Sequence, residues 1–251
     1  MNSIPKWQAA FAFGLILISR LAFAQADTPT SWPDDEGMAQ RLGACAVCHG
    51  QHGEGAAGAE YFPHLAGKPA GYLFAQMQGF RDGRRHYPQM VYLMSNWNDA
   101  WFARVAAFYA SQPTPEPHAQ AAAKLEAQDF ARAQKLVREG DASVDLPPCA
   151  ACHGDRLEGL EPGIPALAGL PTDYLIAQLG GWLTGARHSI APDCMSHVVT
   201  KLQPGDIRLV ATYLSSLSVS PDDRPAPEGS RELPLSCGGA GQFDPTSGVV
   251  Q

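Results

Sequence analysis

Cys45 and Cys48 stand three residues apart and His49 follows directly. Within one helical turn the chain therefore offers two thiols on one side with an imidazole beside them. This is the pattern C-x-x-C-H, to which a c-type haem is attached. The two thiols bond to the vinyl groups on one edge of the porphyrin, and the histidine is carried under the ring, where a nitrogen reaches the iron. The same pattern returns at Cys149, Cys152 and His153. A thioredoxin-like dithiol needs a βαβ context, and no alternating Val/Ile-rich strands flank either copy. A zinc site made of two C-x-x-C pairs explains neither the histidine after each second cysteine nor the similar segments around each pair. Two covalently attached haem c groups are the expectation.

Each iron then needs a sixth ligand or an open position. Met90 lies 41 residues after His49 and Met195 lies 42 after His153, each with a proline shortly before it, Pro88 and Pro192. Seven residues beyond each methionine stands an apolar residue, Trp97 and Leu202. A thioether is a soft, neutral ligand that favours ferrous iron and raises the potential. Met38, Met77 and Met94 read as core, since only Met90 keeps register with Met195. His86, His188 and His197 offer a bis-histidine alternative of lower potential, set aside because they do not share one register. His52, His64 and His118 have no counterpart in the other copy and read as structural or surface groups. The expected ligand pairs are His49 with Met90 and His153 with Met195, and no residue is expected to be catalytic.

The elements that must position these groups come in duplicate. The segment Phe62-Pro63-His64-Leu65-Ala66-Gly67-Lys68-Pro69 matches Ile164-Pro165-Ala166-Leu167-Ala168-Gly169-Leu170-Pro171. The match runs on through Tyr72, Leu73, Ala75 and Gln76 against Tyr174, Leu175, Ala177 and Gln178, and Gly83 and Arg85 answer to Gly185 and Arg187. The offset is 102 residues here and 104 at the cysteines, so the first copy carries two extra residues, placed in the glycine-rich loop 53–58. A period this long means two similar domains rather than a solenoid. Helices are predicted over 34–46, 70–80 and 100–111, the last capped by Asn98 or Asp99. In the second copy they fall over 119–138, 171–183 and 207–217, the last started by Gln203-Pro204-Gly205-Asp206. The fold class is all-α, two tandem domains each wrapped round one haem. The boundaries are 1–24 for a signal peptide, 25–116 and 117–217 for the domains, and 218–251 for an extended tail, with a stiff linker at 113–118.

The amino terminus supports export. Lys6 precedes a ten-residue apolar run over 9–18, too short for a typical span, and Ala22-Phe23-Ala24 is an A-x-A cleavage site. Arg20 after the run keeps an uncleaved anchor open as the second reading. The 251 residues are 45% hydrophobic and 17% charged, neither disordered nor membrane-embedded in bulk. Without Lys6 and Arg20 the mature chain has 16 basic against 25 acidic residues, a net charge of −9. Such acidity argues against nucleic acid and for membrane association that is peripheral at most.

With CAVCHG and CAACHG, the P-x-L-A-G segments, Y-L-x-A-Q, G-x-R, the proline-preceded methionines and the ends FYASQ and YLSSL, the chain resembles the dihaem cytochrome c4 family up to about Leu217. The resemblance implies two small all-helical domains related by a pseudo-twofold, each with one haem attached outside the cytoplasm, passing electrons in the periplasm. It implies that the carbonyls of Pro63 and Pro165 accept the proximal histidine N–H, and that Arg85 and Arg187 pair with propionates. The partners implied are redox proteins, a quinol-oxidising complex or a dehydrogenase as donor and a terminal oxidase as acceptor. The alternatives are a dedicated cytochrome subunit of one dehydrogenase, or a dihaem oxidoreductase acting on a small sulfur compound such as thiosulfate. Two cysteines, Cys194 and Cys237, depart from the family pattern. In an oxidising compartment the simplest reading is a disulfide tying the tail beside the second haem. The other reading is Cys194 as an iron ligand, because some dihaem thiosulfate-oxidising enzymes of similar size use a Cys-ligated haem.

Overall fold

The computed structural model describes residues 35–56, 62–115, 125–220, 223–241, 243–244 and 249–250. The expected signal peptide lies outside them, as do parts of the glycine-rich loop, the linker and the start of the helix expected over 119–138.

Ten α-helices are described, and they fall into two runs of five. The first run is α1 (Asp35–Arg41), α2 (Gly43–His49), α3 (Ala70–Arg81), α4 (Pro88–Met94) and α5 (Asp99–Ser111). The second is α6 (Ala127–Arg138), α7 (Cys149–His153), α8 (Thr172–Thr184), α9 (Cys194–Thr200) and α10 (Asp206–Ser215). The helix expected over 34–46 is two helices, broken at Leu42 before Gly43, a poor helix former. The short helices α4 and α9, which carry Met90 and Met195, were not expected. Seven residues are too few to show helical periodicity, and their start signals are local: Pro88 in the first turn of α4, and Asp193 capping α9.

Each run closes round its own apolar core. In the first, Leu73, Phe74 and Phe80 of α3 pack with Phe102, Val105 and Tyr109 of α5 and with Met38 and Leu42. In the second, Leu136 and Val137 of α6 and Tyr174 and Leu175 of α8 pack with Val210, Tyr213 and Leu214 of α10. Asn98 caps α5, its side chain accepting from Trp101 N at 2.9 Å. The P-x-L-A-G turn is bound to the last helix in both copies: Gly67 N donates to Tyr109 O and Gly169 N to Leu214 O, each at 3.0 Å. Gly67 and Gly169 have φ of 71° and 70°, left-handed backbone that glycine adopts without penalty, which explains why both turns use it.

The tail does not run free. It makes a short 3₁₀ turn at Gly238–Ala240 and a two-residue antiparallel pair of β1 (Phe243–Asp244) with β2 (Val249–Val250). The Phe243 ring lies 5.3 Å from that of Phe74, so the tail returns from the second run of helices onto α3 of the first.

Candidate functional site: two haem cavities and the cluster between them

Each C-x-x-C-H motif forms a short helix whose terminal histidine is buried, α2 ending at His49 and α7 at His153. His49 Nδ1 lies 2.9 Å from Pro63 O, and His153 Nδ1 lies 2.7 Å from Pro165 O. A carbonyl oxygen only accepts, so Nδ1 carries the proton and Nε2 is left with its lone pair free for a metal. Burial pushes both histidines below their usual pKa, against the opposing pull of the proline carbonyls. The neutral imidazole that a ligand must be is therefore the form present at neutral pH. The loop after each motif is fixed alike, Gly55 N donating to His49 O and Gly159 N to His153 O, both at 2.7 Å.

Cys45, Cys48 and His49 line one cavity with Met90. Cys149, Cys152 and His153 line another with Met195. The four motif thiols thus serve separate cavities in pairs and do not meet as a zinc tetrad. Burial pushes Cys149 up to about 11 and raises Cys45 and Cys152, so these thiols are held neutral rather than as metal-binding thiolates. Among the described residues Met195 is the sole methionine lining the second cavity, whereas Met77, Met90 and Met94 all line the first. Met94 is buried in the core, and the residue in its register is Val199, also fully buried, which makes Met94 a core position. Met90 is the counterpart of Met195.

Between the cavities lies a polar cluster that both of them share. Arg85 and Arg187 sit opposite each other in an antiparallel bridge, with His86 N donating to Ala186 O at 2.8 Å and His188 N to Arg84 O at 2.6 Å. The reciprocity of these bonds is a twofold relation between the copies. Arg85 donates to Gln76 at 3.0 Å and to Gln178 at 2.5 Å, and Arg187 donates to Gln178 at 2.7 Å and to Gln76 at 3.0 Å. Arg187 also donates to Tyr72 Oη at 3.2 Å. Lys68 is buried beside them and lines both cavities. Burial pushes Lys68 down to about 8, with Arg85 and Arg187 adding to it. Burial alone would raise Tyr72, but Arg187, Arg85 and Lys68 outweigh it and draw the phenol down to about 7. Three cations share this cluster, and among the described residues no carboxylate acts on Lys68, Tyr72 or Arg187. Buried cations need partners, and the propionates of two porphyrins are suitable ones. Thiol pairs on one wall, a ligand-ready imidazole, a thioether and a shared cationic floor together fit a haem in each cavity.

The family model for cytochrome c matches residues 36–138. A thiosulfate dehydrogenase electron acceptor of Stutzerimonas stutzeri (strain A1501) is 35% identical over 174 residues, 69% of this chain and 79% of that protein. A cytochrome c4 of Pseudomonas aeruginosa is 30% identical over 179 residues, 70% of this chain and 85% of that protein. The chain belongs to the cytochrome c4 family. The crystal structure of reduced recombinant cytochrome c4 from Pseudomonas stutzeri superposes with a TM-score of 0.62 at 26% identity, covering 74% of this chain and all of that one. This cytochrome carries two covalently bound haem c groups, one on each motif, and functions in electron transfer.

One sequence reading is revised by the geometry of the cytochrome, and the disulfide expectation is met. His86 and His188 do share a register, 102 residues apart, and their backbones form the reciprocal bonds between the copies, while both side chains are exposed. His197 faces Asp145, 3.2 Å from its carbonyl oxygen, away from that bridge. Cys194 is bonded to Cys237, so the disulfide reading holds and its sulfur is occupied. Sequence reasoning missed the roles of Lys68, Tyr72, Gln76 and Gln178, although the repeated Y-L-x-A-Q carried a signal: tyrosine and glutamine recur at matching positions where an apolar helix face needs neither.

Proposed function

We propose that this cytochrome is an exported electron carrier that accepts electrons from a thiosulfate-oxidising dehydrogenase and passes them towards a terminal oxidase. The observation that carries the reading is the pairing in each cavity of a tautomer-fixed histidine with one register-matched methionine, His49 with Met90 and His153 with Met195. A bound haem supplies one reversible electron per iron, and an iron with two protein ligands has no position for substrate, so electrons cross at the porphyrin edge. The chain's own work is to orient the two imidazoles through Pro63 and Pro165, present the two thioethers, and neutralise the propionates with Arg85, Arg187 and Lys68. What supports this donor is the likeness to the relative named as a thiosulfate dehydrogenase electron acceptor.

Export to the periplasm through a cleaved leader over 1–24, domains over 25–116 and 117–217 and a tail over 218–251 belong to the same proposal. The carrier reading is preferred to a thiosulfate oxidoreductase because Cys194, the sulfur that such chemistry would recruit to iron, is in a disulfide.

The test mixes the oxidised dihaem protein with a thiosulfate dehydrogenase and thiosulfate in a stopped-flow spectrometer. Both haems are expected to reduce only when the dehydrogenase is present. Turnover of thiosulfate by this chain alone, with ferricyanide as acceptor, would overturn the carrier assignment. In the variant Cys149→Ala/Cys152→Ala the intact mass is expected to fall by one haem, leaving the first haem still reducible by the dehydrogenase.

A further inference from the structure

Among the described residues the C-terminal strap has no counterpart in the first copy, and between Ala226 and Ala240 it runs along the second haem site. Ala226 N donates to Gly159 O at 3.0 Å and Glu161 N to Ala226 O at 2.8 Å, laying the strap along the loop after the second motif. Arg231 donates to Ala150 O on the motif helix at 2.8 Å and faces Asp155 at 3.3 Å. Cys237 is then bonded to Cys194, the residue before Met195. Gly238 N donates to Pro192 O at 3.0 Å, and a Cβ on Gly238 would stand 2.2 Å from Ala191 O. On the other side, a Cβ on Gly163 would stand 2.7 Å from Gly239 O. The stretch 237–240 is thus wedged between the loop that leads into Met195 and the loop that carries Pro165, the acceptor for His153. Cys237, Gly239 and Ala240 line the second cavity, and no described residue beyond Arg187 lines the first.

The second site has a reason to need this support. Arg85 stands five residues before Met90, but Arg187 stands eight before Met195. In the first copy Pro88 starts α4 almost directly after the turn. The second copy instead has the longer loop 188–193 to immobilise, and a longer closure loses more conformational entropy. Asp193 ties part of it, accepting from Ser189 N at 2.7 Å, Trp182 Nε1 at 3.2 Å and Ser196 N at 3.1 Å. The remaining stretch, Ile190 to Pro192, is what the strap covers.

We propose that the Cys194–Cys237 disulfide and the strap it anchors are positioning elements for Met195, so that the second haem alone responds to thiol–disulfide exchange. This rests on Met195 being the axial ligand in the reading above. Opening the bridge takes two electrons and two protons from an external dithiol. The dithiol ends as its own disulfide, and Cys194 and Cys237 end as thiols. With the tether gone, the loop before α9 regains its freedom and the thioether loses its fixed position, while Met90 has no such tether to lose.

The experiment compares the dihaem protein with Cys194→Ser/Cys237→Ser, a variant that offers iron no new sulfur. The readouts are the methionine-to-ferric-iron charge-transfer absorption and a redox titration. The absorption is expected to fall to about half, with one midpoint lowered and the other in place. Wild-type protein treated with a dithiol, alkylated and reoxidised with ferricyanide should do the same, starting from a chain already folded and loaded. Full absorption with both midpoints unchanged, even at a lower Tm, would reduce the disulfide to a structural staple and overturn the proposal. An equal shift of both haems would overturn it too. Met195→Ala is the control for the underlying reading: full absorption in that variant would remove the ligand assignment itself.

Discussion

Because a carbonyl can only accept, the contacts from His49 to Pro63 and from His153 to Pro165 settle which nitrogen of each ring keeps its proton. In the proposed pairing Met90 and Met195 would have no comparable constraint, because a thioether has no proton to place and binds by position alone. The methionines are therefore where a single substitution should retune a haem without dislodging it. Met195→His offers a bis-histidine iron, and one midpoint is expected to fall by on the order of 0.1 V or more, a fraction of the ~0.8 V that axial ligands span. Redox titration with spectra recorded at each potential checks this. Two unchanged midpoints would show that Met195 is not a ligand.

Among the elements, α6 and α10 are joined by a two-pronged contact: Arg132 donates to both carboxylate oxygens of Asp206, at 2.6 and 2.7 Å, and Asp206 is almost fully buried. Asp206 also accepts from Gln203 N at 2.9 Å at the start of α10. Asp206→Ala frees Arg132 into solvent, so the loss is that of charge-assisted hydrogen bonds, about 2 kcal/mol. For a chain of this size that is about 4–8 °C of Tm, measured by thermal unfolding of the dihaem protein. The helix starts at Asn98 and near Asp206 were legible in the sequence because caps and prolines act locally. Legible too were the haem motifs, the duplicated glycine turns, and the cysteine pair once export was assumed. What the sequence withheld is of another kind. Helices α4 and α9 are too short for periodicity to speak. The reciprocal bonds of His86 and His188 exist only once two copies face each other. The path of the strap depends on close approaches at Gly163 and Gly238 that no local pattern announces.

Across the whole molecule, the twofold relation brings Arg85 and Arg187 together on a floor common to both haems, and Lys68 breaks the symmetry of that floor. Its counterpart is Leu170, so one copy contributes a buried ammonium where the other contributes a hydrocarbon. Burial pushes Lys68 down to about 8, and the nearby arginines push the same way. A propionate beside it reverses that push and keeps the ammonium charged at neutral pH. A fixed cation disfavours the more positive ferric state, and because Lys68 lines both cavities it should hold up the potentials of both haems. At ~10 Å and an effective dielectric near 20 the effect is about 1–2 kcal/mol per charge. That corresponds to about 40–80 mV for a one-electron couple. Lys68→Gln keeps a polar side chain of similar length without the charge, and both midpoints are expected to fall by tens of millivolts while the methionine-to-iron absorption stays whole. A fall confined to one midpoint would place Lys68 with that haem alone, and no change in either would mean that the propionates already cancel its field.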